Sequence, residues 1–322
     1  MNSEDFAGVI DAVGNIDGVT LARDVPSGVF CTYRVGGPFA LVTRVETIEA
    51  LGELVAVIGE SGLASLPVGK GSNLLVSSAG FDGVAIVLGD GFSGVEIDGT
   101  TVDAGAAATL PVVARASVKA GLTGFEWAVG VPGSIGGAVR MNAGGHGSDM
   151  AANLVSVEVA DILLGGIVTR GVESLGLGYR SSSLSPWHIV VQATLELEDA
   201  DDDADGEEAL REIVGWRREN QPGGANAGSV FTNPPNDSAG RLIDAAGLKG
   251  FRVGSAEVSE KHANFIQVDA DGDANDVMQL MVEIVDRVHE DSGVRLHAET
   301  QLVGFSQDLV DHVQPRDSGE RD

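Results

Sequence analysis

Apolar residues recur at helical spacing in two long segments of the chain. In residues 46–62 the apolar positions share one helical face and Gly62 follows as a stop signal; they are Ile48, Leu51, Leu54, Val55 and Ile58. In residues 274–293 the inward positions are Val277, Leu280, Met281, Ile284, Val285 and Val288. Shorter patterns predict further helices at residues 110–122, 210–220 and 241–248.

Strand-like runs predominate up to about residue 199 and recur in the mixed region that follows. Short apolar or alternating segments predict strands at residues 65–69, 83–89, 153–162, 166–171, 187–198, 262–268 and 293–305. In the last of these, a period of two divides the residues between two faces. One face has Val294, Leu296, Ala298, Thr300 and Leu302, and the other has Arg295, His297, Glu299 and Gln301. The overall pattern is α+β.

An acidic stretch marks the clearest boundary. Seven of the ten residues in 199–208 are Asp or Glu, so we expect this stretch to be solvated and poorly packed. The predicted domains are residues 1–88, 89–199 and 206–305. Residues 306–322 are expected to be disordered.

Composition and charge exclude several classes of function. The 322 residues include 48 Asp and Glu but only 20 Lys and Arg, and the resulting net charge of −28 repels nucleic acid and anionic membranes. No apolar run reaches the roughly 18–20 residues of a membrane-spanning helix, and the acidic N-terminus does not resemble a secretory signal. The single Cys31 cannot form an internal disulfide, so we expect a cytoplasmic protein. No metal site is predicted.

Two glycine-rich stretches are candidate binding loops. In PVGKGSNLLV (67–76), Gly69, Gly71, Ser72 and Asn73 can aim successive N–H groups at one anion, although the loop alone fits a plain tight turn somewhat better. It matches neither the Walker A nor the Rossmann motif. The stretch VGVPGSIGGAVRMNAGGHG (129–147) adds seven glycines. Two such loops indicate an extended ligand that lies along bare peptide, and a dinucleotide has that shape.

Eight motifs in one order, over roughly residues 30–305, resemble the UDP-N-acetylenolpyruvoylglucosamine reductase (MurB) family. They are YRVGG (33–37), VGKGSNLL (68–75), GVPGSIGGAVRMNAG (130–144), LGYRSSSL (177–184), GSVFTNP (228–234), AGRLIDAAGLKG (239–250), VSEKHANFI (258–266) and AETQLVGF (298–305). The short spacing between Arg180 and Ser229 resembles the subtype that lacks an inserted substrate loop.

This resemblance implies an α+β fold with a vanillyl-alcohol-oxidase-type (PCMH-type) FAD-binding domain and a C-terminal α+β substrate domain. Residues 1–88 and 89–199 would be the two FAD-binding subdomains, and residues 206–305 would bind substrate. The implied activity is the NADPH-dependent reduction of UDP-N-acetylglucosamine enolpyruvate to UDP-N-acetylmuramate in peptidoglycan synthesis. The FAD would be non-covalent, its N5 would deliver the hydride, and the enzyme is expected to be a monomer with small-molecule substrates only.

The resemblance also implies roles for individual residues. Arg180 would bind the substrate carboxylate, Ser229 would donate the proton, and Glu299 would help stabilise the enolate, either protonated or through Arg180 or a water. Without the motifs, Arg180 is interpreted as an ordinary salt-bridging residue and Ser229 as a turn residue. The implied cofactor-binding residues are Gly69, Lys70, Gly71, Ser72, Asn73, Leu74, Pro132, Gly133, Ser134, Gly136, Asn142, Gly144 and Gly147. The implied substrate-binding residues are Tyr179, Asn233 and His262.

Three positions depart from the family pattern. His146 stands where many relatives carry another aromatic residue, and Asn220 and Thr232 stand where lysine is common. The loss of two cations near a diphosphate predicts weaker substrate binding unless other cations compensate. The candidates are Arg217, Arg218, Arg252 and Lys261.

Two other functions stay open. One is another FAD-dependent oxidase or dehydrogenase of the same fold class, acting on a 2-hydroxy acid or a sugar. The other is a catalytically silent flavin-binding protein. The C-terminal motifs argue against the first, and the retention of Arg180, Ser229 and Glu299 argues against the second.

Overall fold

The computed structural model describes residues 3–201 and 205–315, which form two compact units. Unit 1 comprises the residues up to Arg23, Ala40–Lys70 and Asp82–Arg217. Unit 2 comprises Asp24–Phe39, Gly71–Phe81 and the residues from Arg218 onward. The predicted domains are consecutive along the chain, whereas these units interleave. The predicted division into flavin-binding and substrate-binding domains stays a prediction.

Helices and strands alternate along most of the described chain. The helices are α1 (Ser3–Val13), α2 (Ile48–Ser61), α3 (Leu110–Lys119), α4 (Ile135–Met141), α5 (Gly206–Asn220), α6 (Ala239–Ala245), α7 (Ala274–Ser292) and α8 (Gln307–Val313). The strands are β1 (Val19–Pro26), β2 (Pro38–Val45), β3 (Ser65–Pro67), β4 (Leu74–Val76), β5 (Phe81–Leu88), β6 (Val95–Asp98), β7 (Thr101–Gly105), β8 (Leu122–Thr123), β9 (Gly144–Gly145), β10 (Ser148–Asp149), β11 (Leu154–Asp161), β12 (Ile167–Gly171), β13 (His188–Glu196), β14 (Glu198–Asp199), β15 (Arg252–Val253), β16 (Ala256–Val258), β17 (Ile266–Val268) and β18 (Gln301–Val303).

Unit 1 is built on two sheets. One has the strand order β1-β2-β5-β3, and the other is antiparallel with the order β12-β11-β13-β7-β6. Helix α2 begins after Thr47, whose side chain accepts the amide of Ala50 at 3.2 Å, and it ends at Gly62 with φ +66°. The predicted inward face of α2 is buried except at Ile48, which is 39% exposed because it opens the first turn.

Unit 2 has a three-stranded antiparallel sheet, β15-β16-β17, with α7 packed on it. All six predicted inward positions of α7 are buried, which confirms the helical pattern. Strand β4 pairs in parallel with β18 from the far end of the chain. This pairing places the second half of the first glycine loop in unit 2. Consecutive domains, such as those predicted from the sequence, therefore cannot describe the division.

Several elements differ from the sequence prediction. The pattern did not predict α1, whose Val9 and Val13 are buried. The strand expected at 293–305 is limited to β18. Of its predicted inward face, Leu296, Ala298 and Thr300 are buried, whereas Val294 and Leu302 are only half-buried. The strand expected at 262–268 is limited to β17.

The expected disordered tail is helical in its first part. Helix α8 buries Val313, and the amide of Ala298 donates to Val313 O at 2.8 Å, so a tertiary contact orders this segment. The rest of the predicted tail, residues 316–322, lies outside the described residues, as do residues 202–204 of the acidic stretch. Helix α5 begins at Gly206, earlier than the predicted residue 210.

Candidate active site

The glycine-rich segment of unit 1, residues 130–147, lies against the loop that precedes α3. The amides of Ile135 and Gly136 donate to the carbonyl oxygens of Ala108 and Ala106, both at 2.9 Å. A Cβ on Gly136 would meet the Cβ of Ala106 at 3.0 Å, so this glycine is needed for close packing. At Ile135 and Gly136, the backbone of the glycine-rich segment therefore packs against another part of the protein rather than against a ligand.

Asn142 joins three parts of unit 1. It follows α4 in the left-handed region, with φ +39°, and it is only 4% exposed. Its Nδ2 donates to Asp149 Oδ2 at 3.1 Å and to Gly178 O at 3.0 Å, and its Oδ1 accepts the amide of Ala151 at 2.9 Å. The side chain of this predicted cofactor residue thus ties the glycine-rich segment to the turn that carries Arg180.

Tyr179 and Arg180 form the tip of a tight turn in unit 1. Gly178 and Ser181 close it with reciprocal backbone hydrogen bonds of 3.0 and 3.2 Å. Arg180 has φ +56°, a conformation that is costly for a residue with a side chain and that clusters at functional sites. Its Nη2 donates to Gly144 O at 2.9 Å, so the guanidinium lies beside the glycine-rich segment.

His146 and Gly147 form the two-residue turn between β9 and β10. Their φ values of +51° and +87° are those of a primed hairpin turn. The His146 ring packs edge-to-face on Trp216, with ring centroids 5.1 Å apart. Partial burial, followed by the charge of Arg217, lowers the pKa of His146, so the ring is neutral at pH 7.

The first glycine loop carries a run of unused amides. Within the described residues, no hydrogen bond is donated by the backbone amides of Gly69, Lys70, Gly71, Ser72 and Asn73. In unit 1, a Cβ on Gly69 would lie 2.5 Å from Ser134 Oγ. In unit 2, Gly71 has φ +58°, and a Cβ there would overlap Phe30 O. Successive unengaged amides in a glycine-rich turn are typical of an anion-binding nest.

Asn73 and Glu299 meet in unit 2. Asn73 Nδ2 donates to Glu299 O, and the amide of Gln301 donates to Asn73 O, both at 2.9 Å. The Oδ1 atom of Asn73 is buried and has no hydrogen-bond partner among the described residues. Since buried acceptors are normally paired, this oxygen can accept a hydrogen bond from a water or from a bound molecule.

Ser229 and Glu299 lie on two backbone segments of unit 2 that pair with each other. The amide of Glu299 donates to Val230 O at 2.8 Å, and the amide of Thr232 donates to His297 O at 2.9 Å. Ser229 and Glu299 are both half-buried, so solvent or a ligand can reach them. The structure thus brings the two predicted residues onto adjacent segments, while Arg180 belongs to unit 1.

Sequence reasoning missed Asn264, which is only 4% exposed. Its Nδ2 donates to Phe231 O at 2.8 Å and its Oδ1 accepts the amide of Phe231 at 3.0 Å. Asn264 lies inside the KHANFI motif, and an amide side chain within an apolar run needs buried partners. The rule that buried polar groups are hydrogen-bonded predicts that the side chain of Asn264 has partners, but it does not identify them.

Asn233 and His262, the predicted substrate residues of unit 2, also have contacts within the protein. Asn233 Oδ1 accepts the amide of Ala239 at 3.0 Å, at the start of α6. His262 packs edge-to-face on Phe265, and its Nδ1 accepts the amide of Asn264 at 3.3 Å. Burial lowers the pKa of His262, which agrees with an unprotonated Nδ1. In unit 1, the substrate candidate Tyr179 is 62% exposed.

The four candidate cations differ in their surroundings. Arg217 lies in unit 1 beside the glycine-rich segment, where a Cβ on Gly130 would meet its Cδ at 2.5 Å. In unit 2, Arg252 forms ion pairs with Glu257 and Asp269. Lys261 Nζ donates to the carbonyl oxygen of Arg218 at 2.6 Å. Arg217 is therefore the candidate that contacts the glycine-rich segment, through Gly130, and Arg252 is already neutralised.

Two kinds of feature are absent from residues 3–201 and 205–315. No helix in this part of the chain has the length and apolar character needed to cross a membrane. Nor do three or more His, Cys, Asp or Glu side chains gather there in a way that would hold a metal ion.

Comparison with known proteins defines the class first. The FAD binding domain model matches residues 39–170, so the chain is a flavoprotein with an α+β FAD-binding fold. The model of the UDP-N-acetylenolpyruvoylglucosamine reductase C-terminal domain matches residues 220–303.

Relatives with the same name extend over nearly the whole chain. The UDP-N-acetylenolpyruvoylglucosamine reductase of Rubrobacter xylanophilus is 40% identical over 87% of this chain and 94% of its own. A second such reductase, from Symbiobacterium thermophilum, is 42% identical over 89% and 93%. The crystal structure of MurB from Thermus caldophilus is 36% identical, with a TM-score of 0.75 over 88% of this chain and 98% of its own. The chain belongs to the UDP-N-acetylenolpyruvoylglucosamine reductase family, which confirms the resemblance predicted from the eight motifs.

Proposed function

We propose that this chain reduces the enolpyruvyl group of UDP-N-acetylglucosamine enolpyruvate to the lactyl ether of UDP-N-acetylmuramate, with NADPH as reductant. Family membership supports the reaction, and the FAD binding domain supports the cofactor. FAD, when bound, supplies the hydride that enters the terminal carbon of the substrate's double bond. The chain must bind the substrate carboxylate, stabilise the charge that develops beside it and deliver one proton. It acts as a monomer in the cytoplasm.

The unused amides at 69–73 are the observation that carries the flavin assignment. A net charge of −28 opposes a pyrophosphate, so local donors must hold it, and screening over about 8 Å makes that possible. In unit 1, the amides of Gly69 and Lys70 and the nearby Ser134 Oγ fit the phosphates and hydroxyls of a dinucleotide. In unit 2, the amides of residues 71–73 and the Oδ1 of Asn73 offer donors and an acceptor of the same kind. The side chain of Asn142 acts differently, since its bonds position Gly178 and hence Arg180.

Arg180 binds the substrate carboxylate and stabilises the negative charge on the adjacent carbon. A guanidinium has five N–H donors, so it can keep its bond to Gly144 O while it binds a carboxylate through two others. The bond to Gly144 and the left-handed backbone both restrict the direction of the fork. This restriction supports a positioned catalytic group, since preorganised donors stabilise developing charge without reorganising.

Ser229 gives its Oγ proton to the carbon that bears the carboxylate. A hydroxyl is a weak acid, but an enolate-like carbon is a strong base, so placement decides the rate. Glu299 is protonated, or acts through Arg180 or a water, because an ionised carboxylate beside an enolate would be repulsive. The backbone bond from Glu299 to Val230 supports a fixed separation between these two side chains.

The decisive experiment measures two half-reactions separately in the absence of oxygen, namely reduction of the flavin by NADPH and its reoxidation by the substrate. The purified protein is expected to be yellow, NADPH should bleach it, and the enolpyruvyl nucleotide sugar should restore the colour. Ser229→Ala should bleach normally but recolour about 10²–10⁴-fold more slowly. The control is Ser306→Ala, at an exposed serine of the same unit. Normal recolouring in Ser229→Ala would remove Ser229 from its role, and turnover of a 2-hydroxy acid with oxygen instead would favour an oxidase.

A further inference from the structure

We infer that Asn264 is a positioning residue for Ser229. Its side-chain carboxamide forms the backbone hydrogen bonds that a neighbouring β-strand would otherwise form with Phe231. This inference rests on the proposed role of Ser229 as the proton donor. The geometry that carries it lies entirely within unit 2.

The side chain of Asn264 pairs with the backbone two residues after Ser229. Its Oδ1 accepts the amide of Phe231 at 3.0 Å and its Nδ2 donates to Phe231 O at 2.8 Å. The main-chain O of Asn264 accepts the amide of Val230 at 2.9 Å. A carboxamide offers one acceptor and two donors in a plane, so it can satisfy a strand residue as a neighbouring peptide would.

The opposite edge of the same segment is paired with ordinary backbone. The amide of Glu299 donates to Val230 O, and Phe231 lies directly opposite Ala298. Residues 230 and 231 are therefore bonded on both edges, although they belong to none of the described strands. One edge is formed by the chain around Glu299. On the other edge, the main-chain O of Asn264 binds Val230, whereas both backbone groups of Phe231 depend on the side chain of Asn264.

Asn264 is itself fixed by the turn that precedes β17. Its amide donates to His262 Nδ1 at 3.3 Å, and the amide of Phe265 donates to His262 O at 3.0 Å. Val230 and Phe231 are 0% and 1% exposed, so water cannot replace the lost bonds. Removal of the carboxamide therefore leaves both backbone groups of Phe231 without partners, and the segment that carries Ser229 must shift or loosen.

The test compares Asn264→Ala with the wild type in the two anaerobic half-reactions. Bleaching by NADPH should change less than threefold, while recolouring by the enolpyruvyl nucleotide sugar should slow about 10- to 100-fold, since displacement by about 1 Å costs that much. The loss should appear in kcat, with KM changed less than threefold. The control is Val285→Ala, which destabilises the α7 core of the same unit and should leave both rates nearly unchanged.

A double variant isolates the path of the effect. If Asn264 acts only through Ser229, Ser229→Ala with Asn264→Ala should be no slower than Ser229→Ala alone, because the losses overlap. Slowing by the full product of the two single effects would overturn the inference. If Ser229→Ala recolours normally, the proposed role of Ser229 as proton donor fails; if only Asn264→Ala recolours normally, the inference fails and the role of Ser229 stands.

A second variant and a physical readout cover the case in which Asn264→Ala does not fold. Asn264→Asp keeps the shape but loses the Nδ2 donor when ionised, whereas the protonated acid again has a donor and an acceptor. Its recolouring rate relative to wild type should therefore rise as the pH falls. An ionised carboxylate still accepts the amide of Phe231 but repels Phe231 O, which loses its donor, so the segment loosens. Hydrogen exchange at the amides of Val230 and Phe231 should therefore be faster than in wild type at neutral pH, with α7 unchanged. Wild-type exchange at these amides, or a pH-independent rate ratio, would overturn the inference.

Discussion

In unit 1 the candidate residues Asn142 and Arg180 sit on loops, whereas in unit 2 Ser229 and Glu299 sit on paired backbone segments. The loops of unit 1 are held by side chains, namely Asn142, which binds Gly178 and Ala151, and Arg180, which binds Gly144. In unit 2, by contrast, the amide of Glu299 bonds directly to Val230 O. The first arrangement allows unusual backbone angles, and the second fixes the spacing between neighbouring segments.

The difference suggests how each unit tolerates change. Backbone pairing does not depend on side-chain identity, so most substitutions along the paired segments of unit 2 should leave Ser229 in place. A loop held by a few side-chain hydrogen bonds tolerates substitution less well, because each lost partner leaves a buried polar group unsatisfied. Unit 2 has two points that resemble unit 1 in this respect, the carboxamide of Asn264 and the tight turn at Gly71.

The largest effect is expected at Gly71, where backbone meets backbone. Gly71→Ala would place a Cβ onto Phe30 O at φ +58°, and neither the carbonyl nor the angle can adjust cheaply. Overpacking and strain together predict a loss of about 4 kcal/mol or more in the free energy of unfolding, with loss of bound FAD. Urea denaturation and the flavin absorbance of the purified protein measure both.

The matched control is Gly69→Ala, two residues earlier in the same loop. Its Cβ would meet Ser134 Oγ at 2.5 Å, but a serine side chain can rotate away. The expected loss in the free energy of unfolding is below about 1 kcal/mol. Equal losses in the two variants would contradict the distinction between a rigid and a yielding neighbour.

A smaller loss is expected from Asn142→Ala in unit 1. The substitution removes the three hydrogen bonds of the buried carboxamide and leaves the amide of Ala151 and the carbonyl of Gly178 without that partner. The expected loss is about 2–3 kcal/mol in the free energy of unfolding. Because Gly178 closes the turn that carries Arg180, substrate reduction should slow as well.

Asn236→Ala provides the control for backbone strain. Asn236 is exposed and, like Asn142, lies in the left-handed region, with φ +63°. Its replacement should cost only the conformational penalty of about 1 kcal/mol. If Asn142→Ala costs no more than Asn236→Ala in urea denaturation, the buried bonds do not hold the loops of unit 1.

The sequence predicts well the elements that depend on local spacing. Helices α2 and α7 follow from a 3.6-residue apolar period between a capping residue and a glycine, and both are bounded by these residues. The sequence does not predict α8, because its order depends on a bond from Ala298 to Val313 rather than on its own pattern. The sequence pattern does not predict helix α1 for a similar reason, because α1 is stabilised by packing against α2.

The candidate site shows the same limit. Motifs in the sequence point to Arg180, Ser229 and Glu299, but spacing alone does not indicate that Asn73 and Glu299, 226 residues apart, share a hydrogen bond. Asn264 pairs with Phe231 across 33 residues, and its motif identifies only a buried amide. The left-handed conformation of Arg180 has no sequence signal either, because glycine and asparagine are the usual residues there. These properties depend on tertiary pairing, which periodicity does not encode.

The smallest effect concerns acid stability, and it tests whether polar networks in unit 1 also limit its pH range. His188 is 9% exposed, and its Nδ1 accepts the amide of Ser185 at 2.9 Å. Its Nε2 lies 3.3 Å from Asp161 Oδ2 and 3.0 Å from Arg170 Nη2. Burial first and then Arg170, with a smaller contribution from Arg140, lower the pKa of His188 against the opposing pull of Asp161.

A native pKa below the unfolded value of about 6.5 means that the unfolded chain binds a proton that the native state resists. The contribution of His188 to stability is therefore complete above about pH 6.5 and is lost as the pH falls towards the native pKa. Burial raises the pKa of Asp161, but the amides of Leu164 and Leu163 and the neighbouring His188 together lower it below its usual value. Its contribution is lost only below about pH 4, so the interval from pH 7 to pH 5 isolates histidine.

His188→Gln should reduce the loss of unfolding free energy between pH 7 and pH 5 by an amount on the order of 1 kcal/mol. The contributions of His146 and His262, whose pKa values are also lowered, are common to both proteins and cancel in the comparison. Urea denaturation at each pH gives the change of the unfolding free energy with pH for wild type and for the variant. Measurement at pH 8 gives the direct cost of the substitution, because His188 is neutral there in both the native and the unfolded state. Parallel slopes for wild type and variant would show that protonation of His188 does not couple to folding, and the acid sensitivity of unit 1 would then belong to another group.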